Sequence, residues 1–175
     1  MPDFCPRFAS SATQQLAQAY TQLAPELRIA ETIRPMVLDR GYVTKSEFLE
    51  VCKWKSPRTG PRCATNDAGY VKDVTALALS TPSERLRIES LTLLAGVSWP
   101  TASVFLHWFH EAEYPILDFR ALWSLGVKVP KAYDFRFWSE YTQACRDLAK
   151  QRDVSMRDLD RALWQFSKQN QGSKS

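Results

Sequence analysis

Apolar residues along this chain recur at the three-and-four spacing of amphipathic helices and almost nowhere alternate with polar ones as strands require. Over residues 10–39 the periodic positions are Leu16, Ala19, Tyr20, Leu23 and Leu27, with Pro25 and Pro35 expected to break the run into pieces. Thr44 and Glu47 form a T-x-x-E capping box for a helix that carries Phe48, Leu49 and Cys52 and ends near Lys55. The stretch WKSPRTGPRCATND reads as the one long loop, with Lys53, Lys55, Arg58 and Arg62 close together and no acid before Asp67.

A helix over about 68–79 follows, and Thr81, Pro82 and Glu84 supply an N-cap, a first-position proline and a capping acid for the next. That helix carries Leu86, Leu91, Leu93 and Leu94, and Gly96 is expected to stop it. Ser98 then caps a helix reaching about Ala112, and Pro115 to Asp118 lead into a short one ending at Gly126. Two longer amphipathic helices, about 133–151 and 156–168, finish the pattern, the second capped by Ser155 and Asp158; residues 171–175 are expected to be a flexible tail. The fold predicted is all-α, a single helical domain over residues 1–170, with a hairpin at about 83–112 and an acid-bearing segment at 113–126.

The chain has 175 residues, 45% hydrophobic and 24% charged, enough for one compact domain with a sizeable core or two small lobes. A net charge of +4 favours a polyanionic partner without requiring one. Cys5, Cys52, Cys63 and Cys145 are scattered, with no C-x-x-C pair, which supports neither a zinc site nor a disulfide framework and suits reduced thiols in a cytoplasm. No segment has the length of a signal peptide's apolar run or of a membrane span, so a cytoplasmic protein without a membrane partner is expected.

Chemistry concentrates in LTLLAGVSWPTASVFLHWFHEAEYPILDFRALWSLG, residues 91–126. Helix, tight glycine turn and second helix expose backbone N–H groups that can hold a phosphate, and one acid, Asp118, stands at the start of a third helix. The pattern L-x-G-V-x-x-x-T-A, from Leu94 to Ala102, followed by Pro115, Asp118 and a helix ending in Leu-Gly, resembles the helix-hairpin-helix DNA glycosylases. That family's motif reads close to L-P-G-V-G-x-K-T-A, with an essential aspartate at a set distance beyond the lysine. Here the lysine position is Pro100, and Asp118 stands at that same distance from it.

The resemblance implies a DNA N-glycosylase whose hairpin residues Gly96, Val97, Ser98 and Thr101 contact the DNA backbone and whose Asp118 is catalytic. A carboxylate beside C1′ of a flipped nucleotide would oppose the oxocarbenium-like charge and direct the attacking water. Strand-cutting relatives use the lysine amine as nucleophile, which proline lacks, so the implied activity is monofunctional and leaves an abasic site uncut. The four-cysteine iron–sulfur cluster of some members has no counterpart here, and neither a cofactor nor a metal is expected. Ser98 replaces the motif's second glycine and puts a side chain where backbone and phosphate approach, although it also suits an N-cap.

Asp118 equally suits a plain N-cap of the helix FRALWSLG. Arg120 is a candidate DNA contact or an ion-pair partner of Asp118. Trp54, Lys55 and Arg58 are candidates for the base pocket or for DNA, as is Trp99; for Trp54 the alternative is a core residue ending its helix. His107 and His110 lack a third strong ligand and are expected to be a packed or solvent-facing pair. The partner expected is double- or single-stranded DNA, bound by a monomer, with excision of hypermodified phage bases in defence, a catalytically silent DNA-binding hairpin, or an all-α interaction domain as alternatives.

Overall fold

The computed structural model describes residues 2–172; the last three positions of the expected tail, 173–175, lie outside the described residues. Every regular element among the described residues is helical. The all-α class read from periodicity is therefore the fold class found. The chain divides into two compact units, one formed by Met1–Thr21 with Tyr114–Ser175, the other by Gln22–Glu113.

In chain order the helices are α1 (Thr13–Ala19), α2 (Ala24–Arg28), α3 (Arg34–Arg40), α4 (Lys45–Lys55), α5 (Gly60–Ala64), α6 (Ala68–Ser80), α7 (Glu84–Leu91), α8 (Trp99–Phe109), α9 (Phe119–Ser124), α10 (Phe135–Gln151) and α11 (Met156–Asn170). Helices α2 to α8 build the continuous unit; α1 and α9 to α11 build the other.

The continuous unit is organised around α8. From Thr101 to Leu106 no residue of that helix is more than 2% exposed, the signature of a helix enclosed on all sides. Phe105 stacks on Phe48 of α4 with ring centroids 5.5 Å apart. The expected capping box starts α4: the Thr44 side chain accepts from Glu47 N–H, and Glu47 accepts from Thr44 N–H at 2.8 Å. Glu47 also binds Arg40. Arg87 is buried because its guanidinium donates to the Ala78 and Thr81 carbonyls and to Glu84, which satisfies a charge withdrawn from water.

The other unit packs α11 against α1, α9 and α10. Trp138 of α10 stacks on Tyr114 at 5.7 Å, and both are almost wholly buried. Arg152, just beyond α10, donates to Thr13 Oγ1 at 2.8 Å and to the Phe8 carbonyl at 3.2 Å. Arg7 adds two bonds to backbone carbonyls of α9, through its N–H to Ser124 and its Nε to Trp123. The N-terminal segment is thus tied to residues far along the chain by three guanidinium bonds and one backbone bond.

Several boundaries differ from the sequence reading. Pro35 does not break its run: a π turn over Ile29–Ile33 widens the helix just before it, accommodating the ring and the missing donor. The stretch expected to be a long loop folds as a 3-10 turn, Pro57–Thr59, running into α5, because prolines near each start fit the first turn of a helix. The N-cap of α7 is Ser83, whose hydroxyl accepts Leu86 N–H; Thr81 Oγ1 is used two residues earlier, by Ser83 N–H. That helix ends at Leu91, before Gly96, in successive three-residue turns, leaving Leu93 exposed and Leu94 buried. Helix α8 stops at Phe109, where His110 turns extended and its Nδ1 accepts Ala112 N–H at 2.9 Å. At the far end α11 continues to Asn170, and Gln171 closes it by donating its N–H to the Ser167 carbonyl.

Candidate functional site

The candidate residues fall into two groups. Trp54, Lys55, Arg58, Gly96, Val97, Ser98, Trp99 and Thr101 belong to the continuous unit, and Asp118 and Arg120 to the other.

Helices α7 and α8 and the turn between them make the expected hairpin. Gly96 adopts φ +83°, the left-handed conformation that reverses the chain without a Cβ penalty. Val97 is buried and donates its N–H to the Leu94 carbonyl at 3.0 Å, closing the turn. Ser98 occupies the N-cap position but its hydroxyl makes no capping bond; it is exposed at the open end of the helix. Pro100 sits at the second helical position, where its missing N–H costs nothing, and Ala102 is the first residue to bond back, to the Ser98 carbonyl. The first turn therefore offers the backbone amides of Trp99 and Thr101. The Thr101 side chain is buried, so only its backbone can meet a ligand; Trp99 is half-buried.

The turn rests on residues that the sequence reading did not single out. Asn66, only 6% exposed, accepts Ala95 N–H on Oδ1 at 2.8 Å and donates Nδ2 to the Ala95 carbonyl at 3.0 Å and to the Cys63 carbonyl at 2.9 Å. Beneath Gly96 lies Cys63: a Cβ built on the glycine would stand 2.6 Å from its Sγ and 3.0 Å from its backbone N. Burial, with Cys63 as its neighbour, pushes the Cys52 thiol well above the usual range, so Cys52 is a packing element and not a nucleophile. The structure thus brings the basic segment around Arg58 and Arg62 onto the element that carries the hairpin's floor. Arg58 is exposed and Lys55 half-buried. Trp54 is half-buried and packs edge-on against Trp108 of α8 at 6.0 Å.

In the other unit, the extended stretch before α9 is almost entirely interior: Tyr114, Ile116 and Leu117 are buried. Ile116 is held at both its backbone groups, its N–H donating to Asp160 Oδ1 at 3.0 Å and its carbonyl accepting from the Tyr141 hydroxyl at 2.8 Å. Burial pushes the Tyr141 phenol well above its usual range, keeping it a donor. Two residues on, Asp118 is half-buried at the N-cap of α9, with Oδ1 accepting Arg120 N–H at 2.8 Å. The Arg120 guanidinium lies over the rings of Phe119 and Trp164, at 5.2 and 5.3 Å, so its link to Asp118 is through the backbone. Tyr133, which the sequence reading missed, has its phenol raised by burial and secondarily by the negative charge of Asp118.

No protein-family model matches the chain, and no curated protein matches its sequence. Among solved structures, it is similar to the 8-oxoguanine glycosylase/lyase of Methanocaldococcus jannaschii in complex with a 15mer DNA containing 8-oxoguanine. The likeness has a TM-score of 0.48 and 19% identity, and covers 92% of this chain and 80% of that one.

Proposed function

We propose that this chain is a monofunctional DNA N-glycosylase. The observation that carries the reading is a helix pair joined through a left-handed glycine turn, followed in sequence by a half-buried carboxylate at the mouth of a short helix. In this reading the hairpin takes DNA phosphates on its turn and first-turn amides, and Asp118 serves the sugar of a flipped nucleotide. The C1′–N bond breaks and its electron pair leaves with the base. Asp118 opposes the charge that builds on the sugar and takes a proton from the water whose oxygen then bonds to C1′. Pro100 supplies no amine for a Schiff base, so the abasic site is released uncut. Arg120 and Arg58 add contacts to DNA, and no resident cofactor takes part.

One oxygen of Asp118 already accepts Arg120 N–H, and that bond favours a second reading, in which the acid only caps α9 and the hairpin binds DNA without chemistry. A panel of oligonucleotides, each with one modified base, separates the two. Wild type should release a base and give strand scission only after hot alkali, and Asp118→Asn should slow release at least about 100-fold. Scission before alkali would contradict the assignment of Pro100. Release unchanged in Asp118→Asn, or from no member of the panel, leaves the binding reading.

A further inference from the structure

We propose that Asn66 is the positioning residue of the hairpin: its amide aims the Gly96 N–H at the phosphate. The inference rests on the reading that the hairpin takes DNA. A planar amide that accepts from Ala95 N–H and donates to the Ala95 carbonyl fixes both peptide planes flanking that residue. The carbonyl of Ala95 and the N–H of Gly96 share one trans peptide, in which they point in opposite directions. Holding the carbonyl on Asn66 therefore turns the Gly96 N–H away from Asn66. That N–H makes no hydrogen bond among the described residues.

The third bond, from Asn66 Nδ2 to the Cys63 carbonyl, ties the same amide to the end of α5, whose Cys63 floors the turn. Asn66 is buried, so the amide itself does not meet the ligand; it acts through the turn. No side chain of the hairpin performs this task, since Ser98 makes no capping bond and Thr101 faces the interior.

The isosteric Asn66→Asp keeps an acceptor for Ala95 N–H but sets an acceptor against two carbonyls, and Asn66→Ala removes all three bonds. With a short unmodified duplex as probe, both should bind about tenfold more weakly, the loss expected when one buried bonding group is orphaned. The slope of log Kd against log salt should also fall by about 0.9, one phosphate contact. On a substrate from the oligonucleotide panel, KM should rise with kcat unchanged at saturating DNA. A residue that merely stabilised the fold would lower the melting temperature and the active fraction while leaving KM and the salt slope alone, and that result overturns the proposal.

A measurement on wild type stands apart from any folding defect: with glycine labelled for NMR, the Gly96 amide signal should shift as duplex is added. A Gly96 signal that stays fixed while DNA binds overturns the proposal alone. Wild type that binds no DNA at low salt overturns it together with the reading on which it rests.

Discussion

At Gly96 two independent constraints fall on one residue: a φ of +83°, and a Cβ position 2.6 Å from Cys63 Sγ. Alanine there carries the left-handed backbone cost of about 1–2 kcal/mol and must also displace a buried cysteine whose backbone N lies 3.0 Å away. Gly96→Ala should therefore lower the unfolding free energy by more than about 2 kcal/mol and weaken duplex binding, read by urea unfolding and by anisotropy. Unfolding as stable as wild type would remove Cys63 as the floor of the turn. The glycine itself was legible in the sequence, because turn chemistry is local. Its floor was not, since Cys63 lies on α5, with the whole of α6 and α7 between them, and no spacing rule links the two. Asn66 was illegible for the same reason: a buried side-chain amide that pairs with the distant backbone of Ala95 leaves no periodic trace.

Among elements, those with a local start signal were readable and those set by tertiary contact were not. The Thr44–Glu47 box and the Ser155 cap of α11 stand where their residues indicated, because each is closed within a single helical turn. The π turn before Pro35 and the short α5 escaped, since proline punctuates either a break or a helical first turn and the choice is made by packing. The extended stretch ahead of α9 is held by the bonds of Asp160 and Tyr141 to Ile116. Tyr141→Phe keeps the ring and removes only the donor, so a buried carbonyl loses its partner. Stability should fall by about 1–3 kcal/mol, and, on the proposed function, base release at saturating DNA should slow more than KM rises, because Asp118 loses its mount. Equal effects on kcat/KM and on stability, with kcat unchanged, would assign the tyrosine to folding alone.

At the scale of the molecule, acid should reach the continuous unit in two steps. His110 is held below its ordinary 6.5 by burial and then by the Arg87 charge, with Glu84 opposing. The unfolded chain therefore binds that proton first, and stability, complete above about pH 6.5, falls as pH drops toward the native value. For Glu47, ordinary value 4.5, burial raises the carboxyl but the bonds from Arg40 and Thr44 outweigh it and lower it. Its contribution is present above about pH 4.5 and is lost as pH falls through the lowered native value. Melting temperature should decline in these two stages, and His110→Asn should abolish the upper one; a flat profile from about pH 7.5 to about pH 5 would contradict it. The remaining unit depends on chain order in a different way. Its α1 is separated from α9 to α11 by the whole of Gln22–Glu113, so during synthesis the contacts of α1 with those helices wait until that intervening stretch and the helices themselves have been made. Closing a flexible loop of that length costs about 4 kcal/mol, less once the enclosed residues have folded. The continuous unit is therefore expected to be able to condense before α1 docks through Arg152 and Arg7, so that a nascent chain holds the apolar face of α1 uncovered in the interval.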